Sequence, residues 1–276
     1  SIGNFSARTV SVGDLFMGAI VPGLMLVFCY AIYVIIRAYL SPKMAPVQEA
    51  TIVSGRWKIL FSSLLPPFAL ISSVLGSILL GIATPTEAAG VGALGAILLA
   101  ISKSSLNRKN LTEAVETTAE ITAMVFMILL GSSIFSLVFR GFGGDDLITG
   151  IFTELPGGAF GAVLVVMIII FLLGFILDFI QITLVVVPIV GPALLMLGVD
   201  PIWLGIMIAI NLQTSFLTPP FGFALFYLRG VAPDTLATKD IYRGVLPFIL
   251  IQIGVLFVLA LFPELVTALP EAVYGN

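Results

Sequence analysis

The stretch from Gly157 to Gly198 constrains the fold of this chain more than any other part of its sequence. It is 42 residues long (157 to 198 inclusive) and contains one ionisable residue, Asp178, near its middle. Other uncharged runs recur along the chain, which is 59% hydrophobic and only 10% charged, against about 25% charged in a soluble domain. So few charges exclude a soluble domain, a disordered chain and a nucleic-acid binder. The sequence predicts an all-α polytopic membrane protein, in which backbone groups are satisfied within helices.

Several kinds of chemistry are absent from the sequence. It has no histidine, and Cys29 is its one cysteine, so histidine bases, histidine metal sites and an internal disulfide are excluded. No glycine-rich phosphate loop is present. An intramembrane aspartyl protease needs two aspartates at depth, and only Asp178 lies within an apolar run. We therefore expect neither an enzyme nor an organic cofactor.

The apolar runs divide the chain into five parts. Residues 1–56 are predicted to form a first helix with a polar loop, and residues 57–110 a helix pair. Residues 111–156 contain an amphipathic interfacial helix (Leu111–Glu120) and a crossing. Residues 157–230 form a hairpin with a broken helix, and residues 231–276 a last helix with a tail.

The positive charges predict the orientation. When residue 1 is placed outside and the sides alternate through the apolar runs, ten of the 12 lysines and arginines fall on one side, and only Arg8 and Arg140 lie opposite. Positive residues mark the cytoplasmic side of membrane proteins. Both ends of the chain are therefore expected to face away from the cytoplasm.

The middle of the long uncharged stretch reads Leu177–Thr183, LDFIQIT, without a positive residue, glycine or proline. Such a connection is untypical of a cytoplasmic turn and favours a re-entrant helical hairpin whose tip stays within the protein. The alternative is two full spans with Asp178 at the inner interface. An ionisable residue at membrane depth is costly and indicates a functional site.

A second unusual segment, Asn211–Gly222, has the sequence NLQTSFLTPPFG. Pro219 and Pro220 each lack a backbone N–H. Each therefore leaves a carbonyl upstream without its helical donor. In a membrane such a break survives where it is buried or lines a cavity, and broken helices offer carbonyls to cations and N-termini to anions. Neutral oxygens of Asn211, Thr214, Ser215 and Thr218 would suit Na⁺. The alternative is a plain proline kink.

A third segment, Thr84–Glu87 (TPTE), precedes a run of small residues. Thr84 with Glu87 three residues later forms a capping-box pattern, with proline at the first helical position. Functional roles for Thr86 or Glu87 in a substrate path remain the alternative. Gly90, Gly92 and Gly95 would let the following helix pack closely on a neighbour.

Four segments together resemble a known family, the large membrane (DctM-like) subunit of tripartite ATP-independent periplasmic (TRAP) transporters. They are Ser11–Leu26 (SVGDLFMGAIVPGLML), Gly81–Leu99 (GIATPTEAAGVGALGAILL), Phe175–Thr183 (FILDFIQIT) and Asn211–Phe226 (NLQTSFLTPPFGFALF).

The resemblance implies a Na⁺-coupled carrier of organic acids in the bacterial inner membrane. It implies an ion-transporter-like elevator fold with two inverted repeats, each a re-entrant hairpin followed by a proline-broken helix. This chain would hold the second repeat, and the N-terminal half of the subunit would lie outside it. Under this reading, residues 157–230 belong to the moving transport domain, and the first and last helices to its scaffold. Expected partners are a periplasmic substrate-binding protein and a small membrane subunit.

The family pattern also assigns candidate site residues. The hairpin tip would meet the helix break and form a Na⁺ site, at Thr214, Thr218 and Pro219, and one wall of the substrate site. The predicted ion- and substrate-binding residues are Asp178, Gln181, Thr183, Asn211, Thr214, Ser215, Thr218, Pro219, Pro220 and Gly222, and Thr84, Thr86 and Glu87 are further candidates. A carrier that works without a binding protein, and a passive structural membrane subunit, remain alternatives.

Overall fold

A computed structural model describes residues 10–42, 56–219, 222–233 and 236–275, and all regular structure in these ranges is helical. The predicted site residue Pro220 lies outside the described residues, as does most of the polar loop after the first helix. The helices are α1 (Val12–Leu40), α2 (Arg56–Leu79), α3 (Pro85–Ser102), α4 (Arg108–Gly141), α5 (Gly144–Glu154), α6 (Gly158–Leu173), α7 (Phe179–Gln181), a π-helical segment (Ile182–Val186), α8 (Val187–Met196), α9 (Pro201–Leu217), α10 (Phe223–Val231), α11 (Thr238–Leu261) and α12 (Glu264–Tyr274).

Six of the described helical segments are long and apolar enough to cross a membrane. They are α1, most of α2, α3, α4, the continuous stretch Phe179–Met196 and α11. Helices α5 and α6 together form a further apolar pair, bent by 116° at Leu155–Gly157. An all-α fold with several spanning helices is confirmed.

The chain separates into two compact units, of which the first comprises Ser1–Met17 and Tyr33–Ile121. Within it, α2 and α3 pack against each other. A Cβ added to Gly92 would lie 3.1 Å from Cγ2 of Val74, and one on Gly95 would overlap the Leu70 side chain. The predicted close packing through small residues is confirmed for Gly92 and Gly95. Gly90 faces open space.

The second unit comprises Gly18–Ile32 and Thr122–Asn276 and is built around α9. Helix α9 contacts α6, α10, α11 and α12. Ten of its 17 residues are buried, which is typical of a helix at the centre of a core. Asp200 caps its N-terminus by accepting a 2.8 Å hydrogen bond from the Trp203 amide. The Trp203 indole Nε1 donates to the carbonyl of Leu259 on α11 at 2.8 Å, a buried contact that holds the two helices together.

The fold adds two features to the sequence-based expectations. The amphipathic segment Leu111–Glu120 is continuous with the predicted crossing, and both belong to the 34-residue α4. The short helices α5 and α12 were not anticipated. Asp145 and Asp146 in the first turn of α5 complement the positive end of its helix dipole, and Asp145 also forms a 3.5 Å ion pair with Arg140 at the surface.

Candidate functional site

The long uncharged stretch folds as two helical arms joined by a tight turn. Helix α6 ends at Leu173, the chain turns through Gly174–Leu177, and the helix resumes at Phe179. The two arms contact each other, and each contacts α5. The turn therefore lies three residues earlier than the predicted Leu177–Thr183, and it does contain a glycine. We call the stretch Gly158–Met196 the hairpin from here on.

Asp178 is the N-cap of the returning arm. Its carboxylate accepts a 2.8 Å hydrogen bond from the Phe179 amide, while its own amide donates to Oε1 of Gln181 at 3.3 Å. This reciprocal arrangement is a capping box. Asp178 and Gln181 thus stabilise the start of the returning arm. Thr183 lies in the π-helical segment and is exposed.

The C-terminal end of α9 collects the polar side chains of the predicted break. Asn211, Thr214 and Ser215 are buried, with at most 3% of their surface exposed. The Thr214 hydroxyl donates to the Ile210 carbonyl at 2.8 Å, and the Ser215 hydroxyl donates to the Leu212 carbonyl at 2.9 Å. Because a hydroxyl that donates one bond still has lone pairs to offer, these oxygens remain able to coordinate a cation.

The helix ends where the first proline removes a donor. Pro219 has no N–H for the Ser215 carbonyl, which instead accepts a 3.0 Å hydrogen bond from the Thr218 amide. The Thr218 hydroxyl donates to the Thr214 carbonyl at 2.7 Å, and the Gly222 amide donates to the Thr218 carbonyl at 3.1 Å. The chain is therefore broken between α9 and α10, as predicted.

Gly222 lies against the end of α9. A Cβ at this position would come within 3.0 Å of the Phe216 carbonyl oxygen and 3.1 Å of the Leu217 carbonyl carbon. Gly222 is also the N-cap of α10, and among the residues that the structure describes no side chain caps that helix. Within that part of the chain, the N-terminus of α10 is a half-helix end without a side-chain acceptor.

The structure brings the hairpin and the broken helix together. Gly174 in the turn packs directly on the Ser215 side chain, leaving no room for a Cβ. The ring of Phe179 makes an edge contact with that of Phe216, with centroids 6.3 Å apart. On the outgoing arm, Nδ2 of Asn211 donates to the Met167 carbonyl at 2.7 Å.

The polar groups of the two elements do not bond to each other directly. Among the residues that the structure describes, no hydrogen bond joins Asp178, Gln181 or Thr183 to Thr214, Thr218 or Pro219. The contacts that hold the junction come from Gly174, Phe179, Phe216 and the Met167 carbonyl, none of which the motif-based prediction included. Gly174 is the sequence feature that could have located the turn, because it is the one glycine between Gly161 and Gly191.

The TPTE segment forms the capping box that its sequence predicts. The Thr84 amide and hydroxyl both donate to Oε2 of Glu87 at 2.8 Å, and the Glu87 amide donates to the Thr84 hydroxyl at 3.4 Å. Thr84, Thr86 and Glu87 are all exposed. The structural role of Thr84 and Glu87 at the start of α3 is confirmed.

These elements define a multi-pass α-helical membrane protein in which an apolar hairpin packs against a proline-broken helix. The model of the family described as "Tripartite ATP-independent periplasmic transporter, DctM component" matches residues 3–265. The chain belongs to this family.

Curated relatives are similar to this chain over most of its length. It is 29% identical over 272 residues to the sialic acid TRAP transporter large permease protein SiaM of Vibrio cholerae, covering 96% of this chain and 61% of SiaM. The C4-dicarboxylate protein DctM of Pseudomonas aeruginosa is 30% identical, with coverage of 96% and 61%. The ectoine/5-hydroxyectoine protein UehC of Ruegeria pomeroyi is 28% identical, with coverage of 97% and 62%. The chain thus spans about three-fifths of the length of these relatives.

Proposed function

We propose that this chain forms part of the large permease subunit of a Na⁺-coupled secondary transporter that imports a small organic acid. The observation that carries the proposal is the packing of the hairpin turn on the polar end of α9, through Gly174 and Ser215, in a chain of the DctM family. Two interrupted helical elements meeting inside an apolar core are the arrangement with which secondary transporters bind ions and solutes.

The end of α9 supports a cation site. The C-terminus of a helix carries partial negative charge, and here it coincides with the buried hydroxyls of Thr214 and Ser215 and with Thr218. Neutral oxygen ligands favour a hard cation over a transition metal. Thr214, Thr218 and the backbone around Pro219 would hold Na⁺, which supplies the driving force when it moves down its gradient.

The start of α10 supports an anion site beside it. No side chain in the described part of the chain caps its N-terminus, and uncapped helix N-termini bind carboxylates through their amides and dipole. An organic acid would place its carboxylate there. The hairpin tip, with Asp178, Gln181 and Thr183, would form the opposite wall.

The length of the outgoing hairpin arm supports a re-entrant element. Helix α6 has 16 residues, about 24 Å at 1.5 Å per residue, which falls short of the roughly 30 Å hydrocarbon core. The returning stretch Phe179–Met196 has 18 residues and is long enough to cross by itself. With the inferred orientation, the hairpin enters the bacterial inner membrane from the periplasmic side, and both ends of the chain face the periplasm.

The partners follow from the family. A periplasmic binding protein would deliver the solute, a small membrane subunit would brace the permease, and further sequence of the same subunit would supply the first inverted repeat. The transport domain would then move as an elevator against its scaffold.

Reconstituted uptake tests this proposal. The complete transporter is placed in vesicles, and the cognate binding protein is loaded with a solute chosen from organic acids that raise its thermal midpoint. Uptake should require an inward Na⁺ gradient together with the loaded binding protein. Equal uptake with a K⁺ gradient would refute Na⁺ coupling, and equal uptake of free solute would favour a carrier that works without a binding protein.

A further inference from the structure

The returning arm of the hairpin contains a carbonyl whose usual partner is missing. In an α-helix the carbonyl of Leu184 would accept from residue 188, but residue 188 is proline and has no N–H. The backbone here is π-helical over Ile182–Val186, and the Val187 amide reaches back five residues to the Ile182 carbonyl. Short π-helical segments recur at functional sites.

A side chain from another helix supplies a donor. The hydroxyl of Ser132 on α4 donates to the Leu184 carbonyl. Of the residues of α4, all of which the structure describes, Ser132 alone is buried. The contact thus fixes one point of an otherwise exposed helix to the part of the returning arm that follows Thr183.

Two other carbonyls that lie four residues before a proline accept from a distant side chain. In the first unit, Nζ of Lys103 donates at 3.0 Å to the carbonyl of Ser62, four residues before Pro66, at an exposed position. In the second unit, Trp203 donates to the carbonyl of Leu259 near the end of α11, four residues before Pro263. The Ser132 contact differs from both, because it is partly buried and its acceptor lies within a continuous helical stretch. An unpaired carbonyl is costly where water is absent, so a donor at this point stabilises the returning arm.

We propose that Ser132 is a positioning residue that holds the returning arm of the hairpin in register against α4. With its hydrogen bond in place, the π-helical segment, which includes Thr183, is held in one conformation together with Asp178 and Gln181 just before it. Without this hydrogen bond, the Leu184 carbonyl lacks its side-chain donor, and the returning arm can adopt alternative conformations. The structural part stands independently of transport; its effect on ion affinity rests on the proposed function.

The test combines Ser132→Ala with Pro188→Ala, measured on the full protein in detergent and in the reconstituted transporter. Ser132→Ala should increase deuterium exchange of the amides within residues 179–187 and raise the half-saturating Na⁺ concentration about threefold. Adding Pro188→Ala restores an N–H four residues after Leu184, and the double variant should return to the exchange and Na⁺ dependence of Pro188→Ala alone. Ser132→Thr, which keeps a hydroxyl, should resemble the unchanged protein.

Ser133→Ala is the matched control, because the exposed Ser133 hydroxyl donates within its own helix to Leu129 at 2.7 Å. It should leave both readouts unchanged. If Ser132→Ala does not fold, recovery of a folded protein by Pro188→Ala supports the proposal, and no recovery overturns it. Unchanged exchange in Ser132→Ala, or an effect that Pro188→Ala leaves intact, also overturns it. Since exchange is measured without transport, a failure of Na⁺ coupling alone would refute the proposed function and not this contact.

Discussion

Gly174 and Ser215 pack so closely that a single methyl group on the glycine would overlap the serine side chain. The glycine begins the turn of the hairpin, and the serine lies in the last turn of α9. This contact makes the two interrupted elements one structural unit, since neither can move along the other without separating the pair.

Gly174→Ala should therefore destabilise the protein. Overpacking a tight contact costs typically about 1–3 kcal/mol, and we expect a lower thermal unfolding midpoint in detergent together with weaker solute uptake. Gly191→Ala is the control, because a Cβ on Gly191 in the returning arm would meet Cγ1 of Val187 at an ordinary 3.8 Å. Equal midpoints for the two variants would show that the contact at Gly174 is not tight.

Thr218→Val should weaken the dependence of uptake on Na⁺. The substitution keeps the side-chain shape but removes an oxygen that lies beside the end of α9. We expect the half-saturating Na⁺ concentration to rise on the order of five- to tenfold, corresponding to one lost oxygen contact.

Thr118→Val is the matched control for this effect. The exposed Thr118 hydroxyl makes the same kind of bond to the carbonyl four residues earlier, Ala114, at 2.6 Å. It lies on α4 before the crossing. Unchanged Na⁺ activation in Thr218→Val, or an equal change in both variants, would remove Thr218 from the ion site.

The TPTE segment offers a test between structure and chemistry. Glu87→Gln keeps an acceptor for the Thr84 amide and hydroxyl, and glutamine serves equally in a capping box. If capping is its whole role, uptake should be unchanged in Glu87→Gln. Thr84→Ala should lower the stability by about 1 kcal/mol, and Thr84→Ser should not. Loss of uptake in Glu87→Gln with an unchanged thermal midpoint would assign the charge to the substrate path.

Cysteine labelling tests the orientation and the hairpin. After Cys29→Ser, single cysteines are placed at Leu106, Phe142 and Ile176, which are exposed. In sealed vesicles an impermeant maleimide should label position 106 only from the cytoplasmic face and position 142 only from the opposite face. Position 176, in the hairpin turn, should resist labelling from the cytoplasmic face. Cytoplasmic labelling there would indicate two full spans.

Much of the fold was predictable from local sequence. The bounds of α1, α2, α3 and α11 follow the apolar runs, because about 20 apolar residues must lie in lipid and their backbone groups must bond within a helix. The capping box at Thr84 and the break after Leu217 were also predictable, since both depend on residues within four positions of one another. The continuity of Leu111–Glu120 with the crossing was not predictable, because its charges report the surrounding solvent and not the bounds of the helix.

The sequence alone determined that this protein resides in a membrane, where most of its long apolar helices lie, and that two of its elements are interrupted. The tertiary structure decided which of these interruptions face each other. It placed the hairpin turn at Gly174 on Ser215, and the Ser132 hydroxyl on a carbonyl 52 residues away in sequence. Helix periodicity and capping depend on residues close in sequence. A carbonyl that has lost its helical donor to proline can accept from any donor that packing brings within hydrogen-bond distance. Only the packed chain shows which donor that is.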